Sequence, residues 1–257
     1  MMLDEGDNLR AIQTITLINL DRSVDRLREF QETNTHIRLI ARFPAVDGAE
    51  IDRTSLQQQG YISNDCDYGN GTLGSAMSHI RLWEKVVLEK KPITIFEDAV
   101  VVSHSFYEKT SMVLRMLPPD WDFIQWGSGF PSAFIWVDAG IAKARLHPYG
   151  SRYQGREGLR EYQSKSFDHF PIRIAHSFGI MGYSITPSGA EKALKICLPL
   201  RKRNITFPEA GVTTPDVCID IVLAGFFNQL KAYCCIPPLV VRSDYQASIR
   251  GGMDNEQ

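Results

Sequence analysis

Apolar and β-branched positions gather along the chain into short blocks divided by polar turns, and the spacing within them switches between strand-like runs and helix-like periods. Residues 13–20, QTITLINL, predict a first buried strand that stops at Asn19. A polar loop, Asp21-Arg22-Ser23, precedes a helix in which Val24, Leu27 and Phe30 share a face and Ser23 is the N-cap. A second strand is expected over Ile37–Phe43, before Pro44-Ala45-Val46-Asp47-Gly48, whose last two residues signal a turn. Residues 52–71 are polar and carry one short helix. Gly71 to His79 leads into a helix with Ile80, Trp83 and Val87 on one face, closed by Lys90-Lys91-Pro92. Ile93–Val102, ITIFEDAVVV, is a buried strand interrupted by Glu97-Asp98.

The second half follows the same grammar. Ser105–Leu117 reads as an amphipathic helix with Phe106, Met112, Val113 and Met116 on its apolar face, and Trp121–Gly127 as a short strand. Residues 138–170 are irregular, basic and aromatic, the composition of a surface loop or of a loop over an active site. Ile172–Ile174 and His176–Thr186 form one or two strands. A helix begins at Thr186-Pro187-Ser188-Gly189-Ala190 with Pro in its first turn and Ala193, Leu194 and Ile196 inward. Arg201-Lys202-Arg203 is a solvated basic face. Thr214-Pro215-Asp216 opens an apolar helix, Val217–Leu230, that contains Asp220, and Lys231–Cys235 supplies a final strand. The alternation of strands and helices, without a repeat or a long linker, specifies one α/β domain.

Composition narrows the function. With 28 Lys+Arg against 30 Asp+Glu the net charge is -2, so no general electrostatic grip on nucleic acid is expected and binding falls to a local site. The five cysteines include the adjacent pair Cys234-Cys235, which suits neither a disulfide framework nor zinc spacing and points to a reducing compartment. Acidic residues Asp4, Glu5 and Asp7 stand where a signal peptide needs positive charge, and no run reaches the length of a membrane span. The expectation is a cytosolic protein, with peripheral attachment to a membrane left open.

Candidate chemistry starts at Glu97 and Asp98, two carboxylates at the C-terminal end of a buried strand, where open α/β sheets bind ligands. The opening strand, polar loop and helix have the order of a nucleotide-binding unit but lack the GxGxxG phosphate loop. Small residues from Gly71 onward allow close approach of a backbone or ligand, and the free N–H groups there suit an anion such as a diphosphate. His79 fits either a wall of that site or a core histidine bonded to backbone.

Taken in order, these pieces resemble glycosyltransferase family 25, which includes lipopolysaccharide and lipooligosaccharide sugar transferases and collagen galactosyltransferases. The resemblance rests on Ile18-Asn19-Leu20-Asp21-Arg22-Ser23-Val24-Asp25-Arg26 against INLD-R-x-x-D-R, on Ala45-Val46-Asp47-Gly48 against A-x-D-G, and on Gly71 to His79 against G-x-x-G-C-x-x-S-H, with Ser75 in place of Cys. Glu97-Asp98-Ala99 matches two positions of an E-D-D triplet. Trp121-Asp122, Phe178 to Thr186, Pro237-Pro238-Leu239-Val240 and Ser248-Ile249-Arg250 continue the order to about residue 250.

The resemblance implies a GT-A-like single domain over residues 13–250, between a flexible N-terminus (1–12) and a polar tail (251–257). Its central sheet would be mostly parallel and flanked by helices, with a Rossmann-like nucleotide-binding half. It implies a UDP-sugar donor, a glycan or glycolipid acceptor and a Mn²⁺ or Mg²⁺ ion. Asn19, Leu20, Asp21, Arg22, Asp47, Ser78, His79, Glu97 and Asp98 would bind the donor, with Asn19, Leu20 and Arg22 near base and ribose and a helix starting near Ser78-His79 as one wall. Asp98 would hold the metal. Asp216 would be the general base, with Asp220 one helical turn later as the alternative. Ala99 leaves three readings open: an active galactosyl-type transferase acting with inversion, a family member that binds nucleotide sugar without turnover, or a metal-independent transferase. In the last, cations such as Arg152 or Arg156 would meet the diphosphate.

Overall fold

A computed structural model describes residues 12–127, 135–138, 140, 143–146 and 155–243. Residues 1–11 of the expected N-terminus (1–12), Arg152, the Ser248-Ile249-Arg250 segment and the expected tail (251–257) lie outside the described residues. β1 (Ile15–Asn19) is buried along its whole length between two parallel neighbours, β2 (Ile40–Pro44) and β3 (Ile93–Glu97). β2 forms the sheet edge and is correspondingly half-exposed. Beyond β3 the order continues with β9 (Gly182–Ile185), β5 (Phe123–Gly127), β12 (Ala232–Ile236), β8 (Phe170–His176), β6 (Ile135–Asp138) and β7 (Lys143–Leu146), a sheet of nine strands among the described residues. β9 runs antiparallel to both of its neighbours, and β5 and β12 are parallel. The expected α/β domain forms, with a mixed sheet: parallel ladders join β2-β1-β3 and β5-β12, and the remaining pairs are antiparallel. Direction is invisible in a strand covered on both faces, because apolar content marks burial alone.

Alternate residues of the central strands feed two cores, as the period of two requires. Ile18, Ile95 and Phe123 point to one, where α3 (Asn70–Glu89), α6 (Pro187–Cys197) and α7 (Ile219–Gly225) pack. Leu17, Phe96 and Ile124 point to the other, beneath α1 (Val24–Thr33) and α4 (Phe106–Met116). A short α2 (Arg53–Gln58) and α5 (Gly155–Ser164) are also α-helical. No helix among the described residues is long and apolar enough to cross a membrane.

Several elements differ from the sequence pattern. The Ile93–Val102 run divides at Glu97-Asp98: β3 stays in the main sheet, and β4 (Val100–Val102) pairs with β13 (Val240–Arg242) in a separate ladder. On α4 the buried residues are Phe106, Thr110 and Val113, leaving Met112 41% and Met116 49% exposed. The polar Thr110 takes the inward place that its helical position dictates. The helix expected to start at Thr214 starts at Ile219, because Val212–Pro215 pairs as β11 with β10 (Asn204–Phe207). Asp216 therefore precedes the helix, and Asp216 and Asp220 do not share a helical face. Arg203 is half-buried and paired with Asp216, in contrast to the solvated face expected of its basic segment.

Candidate active site

The registers Asn19 with Pro44 and Ile18 with Glu97 bring the ends of β2, β1 and β3 to one level. Above that edge opens a cavity of about 570 Å³. Its floor comes from Ile18, Asn19, Glu97 and Asp98, one side from Arg22 and Arg26, another from Ala45 to Ala49, and the last from the start of α3 at Gly69, Asn70, Gly71, Thr72, Ser75 and Ser78. The helix begins at Asn70, two turns before Ser78, so Ser78 and His79 lie in its interior, in place of the helix start expected at those residues. Gly69 caps it without a side-chain hydrogen bond, so first-turn N–H groups that have no side-chain cap among the described residues border the cavity. Gly74 permits this close seat: a Cβ there would lie 2.5 Å from the Val46 carbonyl oxygen and 2.7 Å from Gly48 N. Ser78 ties the two pieces together, its hydroxyl donating to Gly74 O at 2.8 Å and accepting from Val46 N at 2.9 Å.

Asn19 is the hub of the floor. Its amide donates to Asp98 Oδ2 at 2.7 Å and to Ser23 O at 3.1 Å, while its Oδ1 accepts from Arg42 Nε at 3.0 Å. Arg26 pairs with the other oxygen of Asp98. Burial raises the Asp98 pKa against the opposing pull of Arg26 and Asn19. Asp47 accepts from Ala49 N at 3.0 Å and pairs with Arg22. Leu20 lines the cavity; Asp21 does not, its side chain being 77% exposed and paired with Arg42 at 2.5 Å.

Glu97 lines the cavity, half-buried, with Oε1 3.5 Å from His79 Nε2. Burial alone would raise its pKa, but the His79 contact and the charges of Arg26 and Arg242 hold it below the ordinary value. His79 lies behind Glu97 and is not itself in the lining: it is 1% exposed, and its Nδ1 is 2.8 Å from the Tyr183 hydroxyl, which accepts from Trp83 Nε1 at 2.8 Å.

The two candidate bases are set apart by their surroundings. Asp216 is buried away from the cavity, one oxygen accepting from the Tyr68 hydroxyl and the other from Arg203 Nε at 2.9 Å. That arrangement neutralises a charge between two strands and a loop and leaves no oxygen for a substrate. Asp220, in the first turn of α7, is likewise outside the lining, but it is half-buried and within electrostatic reach of Glu97. Burial, joined by repulsion from Glu97 and opposed by a hydrogen bond from the Cys218 thiol, raises its pKa.

The donor atoms present also decide which residue suits a divalent cation. Both Asp98 oxygens are engaged, by Asn19 and Arg26, so Asp98 would take the cation expected of it only by sharing an oxygen with them. Glu97 fits better: its Oε2 has no hydrogen-bond partner among the described residues, and one carboxylate with diphosphate oxygens and waters is an ordinary magnesium-type set. Charge agrees, because Arg22 and Arg26 are each paired with an acid and leave no spare cation in the lining. Among the described residues there is no cluster of three or more His, Cys, Asp or Glu that would bind a metal unaided. Arg156 lies on α5 within electrostatic reach of Glu29 and outside the lining.

Residues 12–207 match the family model described as Glycosyltransferase family 25 (LPS biosynthesis protein). The chain belongs to glycosyltransferase family 25. Relatives include a "Glycosyltransferase 25 family member" of Anopheles gambiae, 24% identical over 197 residues that make up 72% of this chain and 29% of that protein. A protein of the same name from Drosophila pseudoobscura pseudoobscura is 30% identical over 129 residues, 46% of this chain and 21% of its own length. The chain thus matches less than a third of either relative. Membership in family 25 supports glycosyl transfer, which by its chemistry takes a sugar donor and an acceptor.

The structure also brings in residues that no local signal assigned. Arg26 stood in the quoted motif without a role, and its partner is 72 positions away (98 − 26) in the chain. Tyr183 and Trp83 carry ordinary core signatures and gain meaning only through their contacts with His79 and with each other.

Proposed function

We propose that the chain transfers a hexose, galactose from UDP-galactose, to a hydroxyl of a bacterial surface glycan such as lipopolysaccharide or lipooligosaccharide, with inversion at C1. The observation that carries the reading is the cavity itself, which joins a strand-end carboxylate, a helix start with free N–H groups and two arginines in a chain of family 25. The description of that family names lipopolysaccharide biosynthesis, which supports the acceptor class.

In this reading the diphosphate lies against the first turn of α3, where N–H groups and the helix dipole favour negative charge. Arg22, which is largely exposed at the rim, exchanges Asp47 for a phosphate oxygen. Asn19, held by Arg42, keeps Asp98 and Arg26 in place beneath. Glu97 would hold Mn²⁺ or Mg²⁺, which supplies neutralising charge to the departing diphosphate. Asp220 takes the proton of the acceptor hydroxyl at its carboxylate, on the side of the sugar opposite the leaving group. Burial raises both carboxyls, and what favours Asp220 is that Asp216 is already bonded to Tyr68 and Arg203.

The test is UDP release from a panel of UDP-sugars, with and without Mn²⁺ and with EDTA. Turnover restored by Mn²⁺ and abolished by EDTA is expected. Turnover indifferent to EDTA would overturn the metal-dependent mechanism. A second reading, a nucleotide-sugar-binding protein without turnover, is favoured by Ala99, which removes one carboxylate from the strand end. It predicts thermal stabilisation by UDP with no UDP release from any donor.

A further inference from the structure

Tyr183, His79 and Glu97 form a line from the buried face of the sheet to the floor of the cavity. Trp83 sets its direction. The indole N–H can only donate, so the Tyr183 oxygen is an acceptor at that contact. The Tyr183 proton then needs an acceptor of its own, and among the described residues the one within reach is His79 Nδ1, 2.8 Å away. If Nδ1 carried a proton instead, the fully buried Tyr183 hydroxyl would be left with nowhere to donate. Nδ1 is therefore the unprotonated nitrogen, and the ring proton sits on Nε2, facing Glu97 Oε1. The 3.5 Å of that last contact is the loose distance common before a ligand closes a site.

We propose that Trp83, Tyr183 and His79 are positioning residues that lock His79 as the Nε2–H tautomer, so that it anchors Glu97 Oε1 and leaves Oε2 directed to the donor site. This rests on the reading of the cavity as that site. It gives His79 a part distinct from the donor contact expected of it: neither ring nitrogen reaches a ligand, and the ring acts through Glu97. Because Glu97 would act on the departing diphosphate through the cation it holds, and the charge to be neutralised grows as the bond breaks, misplacing it lowers kcat more than it raises the donor KM.

The deciding experiment is nitrogen-15 NMR of the full chain with labelled histidine, His79 being assigned by its loss in His79→Gln. The expected spectrum shows His79 as the Nε2–H tautomer, and Tyr183→Phe converts it to a mixture while the other five of the six histidines keep their signals, which controls for folding. A wild-type Nδ1–H tautomer, or a His79 signal indifferent to Tyr183→Phe, would overturn the proposal. The activity arm compares His79→Gln, whose amide can still donate to Glu97, with His79→Leu, which cannot. His79→Leu should lose about 10–100-fold more kcat than His79→Gln, and equal losses would refute the positioning role. If wild type turns over no UDP-sugar, the transferase reading fails by itself, and the spectrum still decides the tautomer.

Discussion

Asp216 and Asp220 sit four positions apart and differ in their surroundings: one is bonded to Arg203 and Tyr68, and the other is half-buried with a like charge within electrostatic reach. Asp216 is the buried partner of Arg203 and Tyr68, so Asp216→Ala leaves the Arg203 guanidinium without its counter-charge and the Tyr68 hydroxyl without its acceptor. We expect a loss of about 3–5 kcal/mol of stability, read from urea unfolding; a loss below 1 kcal/mol would remove its structural role. Asp220→Asn should instead leave unfolding nearly unchanged and lower kcat by about 10²–10⁴-fold, the range of a missing general base. The sign of the pH dependence follows. A base acts only when ionised, so the rate rises with pH through the Asp220 pKa, which burial and Glu97 lift above the ordinary value of 3.8. Glu97 is shifted the other way, below its ordinary value of 4.5, so the two carboxyls move in opposite directions. The acidic limb of the kcat–pH profile should therefore lie above the ordinary aspartate value and vanish in Asp220→Asn. A limb that survives the substitution belongs to another group.

At the scale of elements, the cavity depends on how closely α3 approaches the loop after β2. Ser78 bonds that loop directly, and Gly74 leaves space for the Val46 carbonyl and Gly48 backbone. A methyl at Gly74 would push against backbone, which cannot swing aside as a side chain can. Gly74→Ala should cost about 1–3 kcal/mol, the range for overpacking, and should also weaken UDP-induced thermal stabilisation, because the displaced helix start borders the cavity. Full retention of both would show that the approach is adjustable. Helix positions elsewhere followed their geometry over their chemistry: on α4 the apolar Met112 and Met116 face outward while Thr110 is buried. Periodicity identified that helix, and its orientation against β8 and the second core chose the face.

For the whole molecule, a net charge of -2 offers a nucleotide no long-range attraction, so recognition concentrates at the sheet edge where β2, β1 and β3 end together. Ligand binding to the folded state should register as global stabilisation, about 2.7 kcal/mol at a concentration 100 times Kd. UDP with Mn²⁺ is expected to raise Tm further than UDP alone. Glu97→Gln should abolish the Mn²⁺-dependent part, since Glu97 offers the open oxygen. Asp98→Asn should lower Tm without ligand, because its carboxylate is the anchor of Asn19 and Arg26. Should Asp98→Asn alone remove the Mn²⁺ response, the metal belongs on Asp98 after all.

By itself the sequence determined the kind of elements and their order: apolar runs and periods marked most strands and helices, and ordered short motifs pointed to the family to which the chain belongs. It also brought out most of the cavity lining that motifs carry, including Asn19, Leu20, Arg22, Asp47, Ser78, Glu97 and Asp98. Tertiary structure decided what those residues do. Strand direction, the break between β3 and β4, the Arg26–Asp98 pair, the Tyr183–His79–Glu97 line and the burial of Asp216 all come from contacts between segments far apart in the chain. Local patterns record whether a position is buried and how its neighbours repeat. Which charge meets which, and which carboxylate keeps a free oxygen, depends on partners brought from elsewhere by the fold.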